Sequence, residues 1–187
     1  MTAMRTGSFR NGNPGRSRRG SQIVEFAMVL PLFMVFTIAA FDFGHVFSLR
    51  DKLDNSAREG ARLAAALPLL GEVSGSTPSG NTTAVAQSVF SYLQQAKVVQ
   101  GCALDAGATS GTFSWTFTAT GCPDNLSIAV ERNYLVTVNG NNTSMSRVTV
   151  SYPAHFLFFH RVIGLLTPGA NYPSTFVLTP QAVMQNP

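Results

Sequence analysis

From Ile23 to Phe41 the chain is apolar, with Glu25 as its only charge. About 20 apolar residues, each adding about 1.5 Å of helix, cross the hydrocarbon of a bilayer. A buried core helix would be shorter and would carry a polar face, which this stretch lacks. It therefore reads as a membrane span, and the rest of the chain must be arranged around it. A signal peptide shares the basic-then-apolar plan, but this apolar stretch is too long, and no small-x-small cleavage site precedes the turn to polar sequence. Glu25 is the anomaly, because a charge within lipid costs at least about 2.5–3.5 kcal/mol on insertion scales.

The pI near 9.5 belongs to a short segment. Five of the 13 Lys and Arg residues (Arg5, Arg10, Arg16, Arg18 and Arg19) precede residue 20, with no acidic residue among them, leaving eight against nine Asp and Glu. A nearly neutral remainder argues against nucleic-acid binding by the main domain. Arginines before a span hold that end in the cytoplasm, so the chain after residue 45 is expected outside. Cys102 and Cys122 fit that placement. They flank GCALDAGATSGTFSWTFTATGC with no CxxC and no adjacent histidine, which reads as one structural disulfide.

Along the chain, residues 1–20 form a basic, Gly/Ser/Asn-rich leader. Residues 21–67 read as one transmembrane and stalk helix, about 65 Å long if unbroken. Its second half, SLRDKLDNSAREGARLAAAL, places Leu49, Leu53, Ala57, Ala61 and Ala64 at helical spacing. Pro31 removes the bond to the carbonyl of Ala27 and should kink the span. Residues 68–187 form the head. It opens with a linker at 71–83 and an amphipathic helix over 84–98 that turns Val85, Val89, Tyr92 and Leu93 to one side. Then the period changes. Phe113, Trp115 and Phe117 alternate with Thr and Ser. Ile128 and Val130, then Val148, Val150 and Tyr152, alternate on either side of Asn139-Gly140, which predicts strand, turn and strand from 127 to 153. HFLFFHRVIGLL (155–166) is too short to span and should pack on the sheet or rest on the membrane surface. STFVLTPQAVM (174–184) reads as a last strand broken at Pro180. The expected fold class is α+β: a long N-terminal transmembrane and stalk helix, then a small antiparallel β-rich extracytoplasmic head with one disulfide.

Chemistry is sparse. His45, His155 and His160 show no metal-ligand spacing, and no nucleophile elbow, P-loop or dinucleotide fingerprint occurs. No enzyme, metal or cofactor is expected. The span entry is richer. Arg18 and Arg19, then Gly20 directly before Ser21, with Glu25 five positions after the glycine, match the prepilin pattern that a membrane aspartic protease cuts after glycine. A missing side chain lets the scissile bond enter a narrow site in extended form. Cleavage would give Ser21 an α-ammonium that Glu25 can pair with, in its own chain or a neighbour's.

This region resembles the TadE-like family of pilus-assembly proteins from bacterial tight-adherence (Flp pilus) secretion systems. GSQIVEFAMVLPLF, FDFGHVF and AREGARLAA carry the resemblance, in that order, between Arg19 and Ala65. By this likeness Gly20 is the cleavage site and Glu25 the processing and assembly glutamate. Pro31, Asp42, Phe43, Gly44, Arg58, Glu59, Gly60 and Arg62 fall on the family's signature positions. The family often has arginine where this chain has His45. The resemblance implies a minor pseudopilin, single-pass in the bacterial inner membrane, N-terminus inward and head outward. Its implied partners are a prepilin peptidase, other pseudopilins and apparatus subunits, in a homo- or hetero-oligomer. The competing expectation is an uncleaved single-pass envelope protein with an exported binding head. Asp42 alone reads as an interfacial carboxylate that reaches water, Arg58, Glu59 and Arg62 as a solvated face. Gly60 costs about 1 kcal/mol against alanine within a helix and points to close approach by another helix.

Overall fold

The computed structural model describes residues 17–69, 72, 77–138, 140–158, 161–162, 164 and 174–187. One helix, α1 (Ser17–Ala66), runs through both predicted halves, Pro31 included. Its 50 residues extend for about 75 Å. Up to Phe41 its large apolar side chains are exposed around the helix, Ile23, Phe26, Met28, Phe33 and Phe36 among them. From Asp42 onward one side disappears beneath the head. The leader before residue 17 lies outside the described residues.

The second half of α1, read from the sequence as an amphipathic stalk, is also a structural layer of the head. Leu53, Ala57, Ala61 and Ala64 are fully buried there, at the three- and four-residue spacing of a single helix face. A shorter helix, α2 (Gly80–Gln95), lies beside it and buries Val85, Ala86, Val89, Phe90 and Leu93. Its first turn is capped by Ser79, whose hydroxyl accepts from the Thr82 amide at 3.3 Å. The predicted boundaries of α2 fall four residues late at the start and three late at the end. Its buried face is the one the periodicity indicated, apart from half-buried Tyr92.

Both helices cover one face of an antiparallel sheet of seven strands: β1 (Ala103–Leu104), β2 (Ala108–Gly111), β3 (Ser114–Thr120), β4 (Ser127–Val138), β5 (Asn141–His155), β6 (Thr175–Leu178) and β7 (Gln181–Gln185). The centre is β3–β4–β5. Two short strands, β1 and β2, share the outer edge of β3, and β6 and β7 share that of β5. Register builds the core in rows. Trp115 lies opposite Val130 and Val130 opposite Val148; Phe117 lies opposite Ile128 and Ile128 opposite Val150. All six are fully buried, and each such side chain contributes about 1.5–3 kcal/mol. The outward face is polar, with Glu131 paired to Arg147, whose guanidinium also lies 4.1 Å from the Tyr134 ring centroid.

The 127–153 hairpin forms as expected, with Gly140 at φ +81° in its turn. Asn139 lies outside the described residues. A register shift between Glu131 and Tyr134 was not foreseen; Asn133 sits in it at φ 57°. The terminal strand divides at Pro180 into β6 and β7, the Pro180 carbonyl accepting from the Val150 amide at 3.0 Å. Strands β1 and β2 had no sequence signal. The Cys102–Cys122 disulfide, next to β1 and the end of β3, spans 20 positions and contributes about 3 kcal/mol in the chain-entropy model. Of the 155–166 segment, Phe156–Phe158 lie at the base of the head, and the Val162 amide donates to the Phe158 carbonyl at 3.1 Å.

Gly60 is where α1 meets both partners. A Cβ there would overlap Val89 Cγ2 of α2 and approach Val148 Cγ1 of β5 at 3.3 Å. Both valines are buried and stiff at χ1, so neither can swing aside. Gly44, in the same helix, faces open space. Gly60→Ala should therefore lower the stability of the head by about 1–3 kcal/mol despite alanine's better helix propensity. Gly44→Ala should leave it unchanged or slightly raised. Denaturant titration in detergent, followed by the single Trp115 in the core, measures both.

Candidate functional site

The candidate residues occupy three levels of α1. At the entry, Arg18 and Arg19 fall in the first helical turn, and Gly20, Ser21 and Glu25 are exposed. The Gly20–Ser21 bond is itself helical, so extended entry into a protease needs that turn to unravel. First-turn amides have no intrahelical partner and Gly20 resists helix, so unravelling there is easy. Among the described residues, Glu25 has no hydrogen bond or ion pair within its own chain. Pro31 sits in the exposed apolar part, where α1 continues through it.

At the exit, Asp42 is 1 % exposed, whereas the sequence alone suggested a carboxylate reaching water. Its two oxygens accept from the Phe158 amide at 3.3 and 3.0 Å. A buried carboxylate is tolerable when backbone N–H groups meet it, and such charge-assisted bonds are among the stronger ones. Phe43 projects beside this contact and meets Phe156 edge-on, ring centroids 6.1 Å apart. Phe156 in turn lies 5.2 Å from Phe176 of β6. Asp42 and Phe43 thus fasten the segment leaving β5 to the point where the helix enters the head. Gly44 and His45 are exposed beyond it.

In the third group, AREGAR, the glycine and both alanines, Ala57 and Ala61, are buried, and the three charged residues are not. Gly60 makes the close approach described above. Arg58, Glu59 and Arg62 face outward, and no ion pair joins Glu59 to Arg62 among the described residues. Polar side chains on the outside of a helix that is otherwise built into a core are available to other chains.

Two polar groupings were missed. Arg132 is 1 % exposed, and its Nη2 donates at 2.8 Å to the carbonyl of Leu67, just beyond the C-terminus of α1. A cation there meets the negative end of the helix dipole. Burial lowers the Arg132 pKa from its ordinary value, and Glu72 opposes that by attraction. Glu72 accepts from Ser79 Oγ at 2.7 Å and Thr82 Oγ1 at 2.6 Å, joining the loop to the start of α2. The signal was present: Arg132 continues the inward alternation Ile128, Val130. The second grouping is Asp124, which accepts from Tyr152 Oη at 3.1 Å and lies 2.6 Å from His155 Nε2. It flanks a cleft of about 290 Å³ shared with His45, Ser48, Lys52 and Lys97. Burial first, then the bond to Asp124 and its charge, push the Tyr152 phenol up to about 12.

Residues 20–62 match the family model described as TadE-like protein, the family named from the sequence resemblance. No curated protein and no solved structure matches the chain. The matched residues run from the helix entry through Asp42 to Gly60. The helix that contains them is long enough, and apolar enough in its first half, to cross a membrane. A TadE-like region implies a component associated with the tight-adherence pilus.

Removing Asp42 should take the charged acceptor from the part-buried Phe158 amide, at a cost of about 1–3 kcal/mol. Asp42→Ala is expected to speed hydrogen exchange at Phe158 and its neighbours, with Asp42→Asn, which keeps an acceptor, retaining most of the protection. For Tyr152 the folded pKa of about 12 lies above the ordinary 10.0. The unfolded phenol therefore ionises first as pH rises, so stability held below pH 10 is lost between pH 10 and about 12. Tyr152→Phe should cost about 1 kcal/mol at neutral pH and flatten that alkaline decline, as read by denaturant midpoints across the range.

Proposed function

We propose that this chain is a minor pseudopilin of a bacterial tight-adherence (Flp pilus) apparatus. It sits in the inner membrane by residues 21–41, N-terminus in the cytoplasm and head outside, and is trimmed after Gly20 by a prepilin peptidase. One observation carries the reading. The residues matched to the TadE-like family form the apolar helix and the half of it built into the head.

The chemistry follows from the two ends of the span. Arg18 and Arg19 hold the Gly20–Ser21 bond at the cytoplasmic surface, where its helical turn is weakest. After cleavage Ser21 carries an α-ammonium four residues from Glu25. In lipid each of these charges alone costs several kcal/mol, so pairing is strongly favoured. Pairing between chains would fix the axial register of neighbouring spans. Outward-facing Arg58, Glu59 and Arg62 would then meet other pseudopilins or apparatus subunits at a fixed height. Membership of a filament and service in its base use the same physics.

The helical state of the Gly20–Ser21 bond favours one competing reading, an uncleaved single-pass anchor whose exported head binds a partner. Mass spectrometry of the N-terminus of membrane-purified protein separates the two, in cells with and without the peptidase. Exposure of Ser21 only where the peptidase is present is the expected result. Gly20→Leu should block trimming and leave the full-length chain in the membrane. Persistence of the original N-terminus in both strains would replace the pseudopilin reading by the anchor.

A further inference from the structure

The base of the head carries an apolar surface that the span alone does not account for. Phe43 is 48 % exposed, Phe47 59 %, Leu157 52 % and Phe158 56 %. Phe43, Val46, Phe47, Phe156 and Phe176 line an apolar groove of about 400 Å³ on one flank of α1. These residues come from two distant parts of the chain, brought together by the Asp42–Phe158 contact. Exposed groups of this kind on a water-facing domain signal an interaction surface.

Their height along α1 identifies what they touch. From Ser21 to Asp42 the helix rises by about 30 Å, the thickness of the hydrocarbon core. Phe43 and the 156–158 segment therefore lie where the helix leaves the acyl chains. The apolar surface is also continuous with the span, since Phe41 is 71 % exposed immediately before it. Cations surround it. Arg50 borders the groove about 10 Å further out than Phe43, and Arg161 is exposed one helical turn after Phe158. Apolar groups at the acyl boundary with arginines reaching to phosphates are the arrangement of an interfacial membrane contact.

We propose that the base of the head, formed by Phe43, Phe47, Leu157 and Phe158, inserts into the outer leaflet of the bilayer that α1 crosses, with Arg50 and Arg161 meeting lipid phosphates. The proposal rests on α1 being the span. Its consequence is mechanical. The head is seated on the membrane in one orientation before any assembly, and extraction of the subunit must peel this surface from lipid as well as draw out the helix.

The test uses full-length protein in vesicles of phosphatidylcholine brominated on its acyl chains, which quench tryptophan on contact. Trp115, fully buried in the head, supplies a constant unquenched background. Leu157→Trp and Phe158→Trp each place a reporter at an exposed site of the base, and Phe33→Trp reports the span. Leu135→Trp reports the far end of the head, near the paired Ser144. The expected result is clear loss of the added emission at 157, 158 and 33, and none at 135. Quenching at 33 without quenching at 157 and 158 would overturn the proposal and leave the span intact. A blue-shifted but unquenched reporter at 157, varying with protein concentration, would assign the surface to a second copy and overturn it equally. Absence of quenching at 33 would remove the span itself.

Discussion

One unbroken helix serves two solvents. Up to Phe41, α1 presents apolar side chains all round; beyond the exposed Phe43 and Phe47 it presents one apolar stripe, and that stripe is core. No linker separates the two regimes. Leu53, Ala57, Gly60, Ala61 and Ala64 lie under the sheet at spacings set by the helix, so the orientation of the span about its axis fixes that of the head. A flexible connection would let the head swivel while the span packed. Here every axial or rotational step of the span is a step of the head. That coupling is why a register mark at the far end of the helix would matter to partners meeting the head.

The coupling depends on close approach. Ala57, Gly60, Ala61 and Ala64 carry almost no side-chain volume, which lets α2 and β5 come against the α1 backbone. The rows Trp115–Val130–Val148 and Phe117–Ile128–Val150 then supply the bulk from the opposite side. Large residues on the sheet and small ones on the helix fill the same space that medium-sized residues on both would fill, with the helix nearer the sheet. Arg132 closes one end of this layer by capping α1, and Asp42 the other by holding the segment after β5. The two buried charged groups thus bracket the part of the helix that belongs to the head.

How much of this was legible follows from the range of each signal. Local periodicity revealed the span, the amphipathic stripe, α2 and the long hairpin, because burial imposes a repeat of 3.6 or 2 on sequence. Strands β1 and β2 carry no such repeat. All four residues of β2 are exposed, and its place depends on pairing with β3. The stripe from Leu49 to Ala64 was visible but its partner was not, so a layer of the head read as a stalk. Asp42 was misjudged for the same reason: the donor that meets it is 116 positions away. Arg132 could have been found, since strict alternation from Ile128 and Val130 points it inward. At Gly60 the cost of a mid-helix glycine correctly indicated a close neighbour.

Two carboxylates sit at the ends of the apolar stretch, and their surroundings differ. Asp42 is enclosed by its own chain and meets a backbone amide, which makes it part of the fold. Glu25 is exposed on a helix whose neighbouring side chains are apolar. A buried charge met within the chain favours the folded monomer. A charge in an apolar setting with no such partner favours whichever state supplies one. For Glu25 that state is a headgroup layer or, if the chain is trimmed as proposed, a new α-ammonium in the same chain or in a neighbour. Only the last grows in number as subunits pack, so it couples the electrostatic gain to assembly. The head has no need of Glu25; under the proposed assembly, the span, among others like it, does.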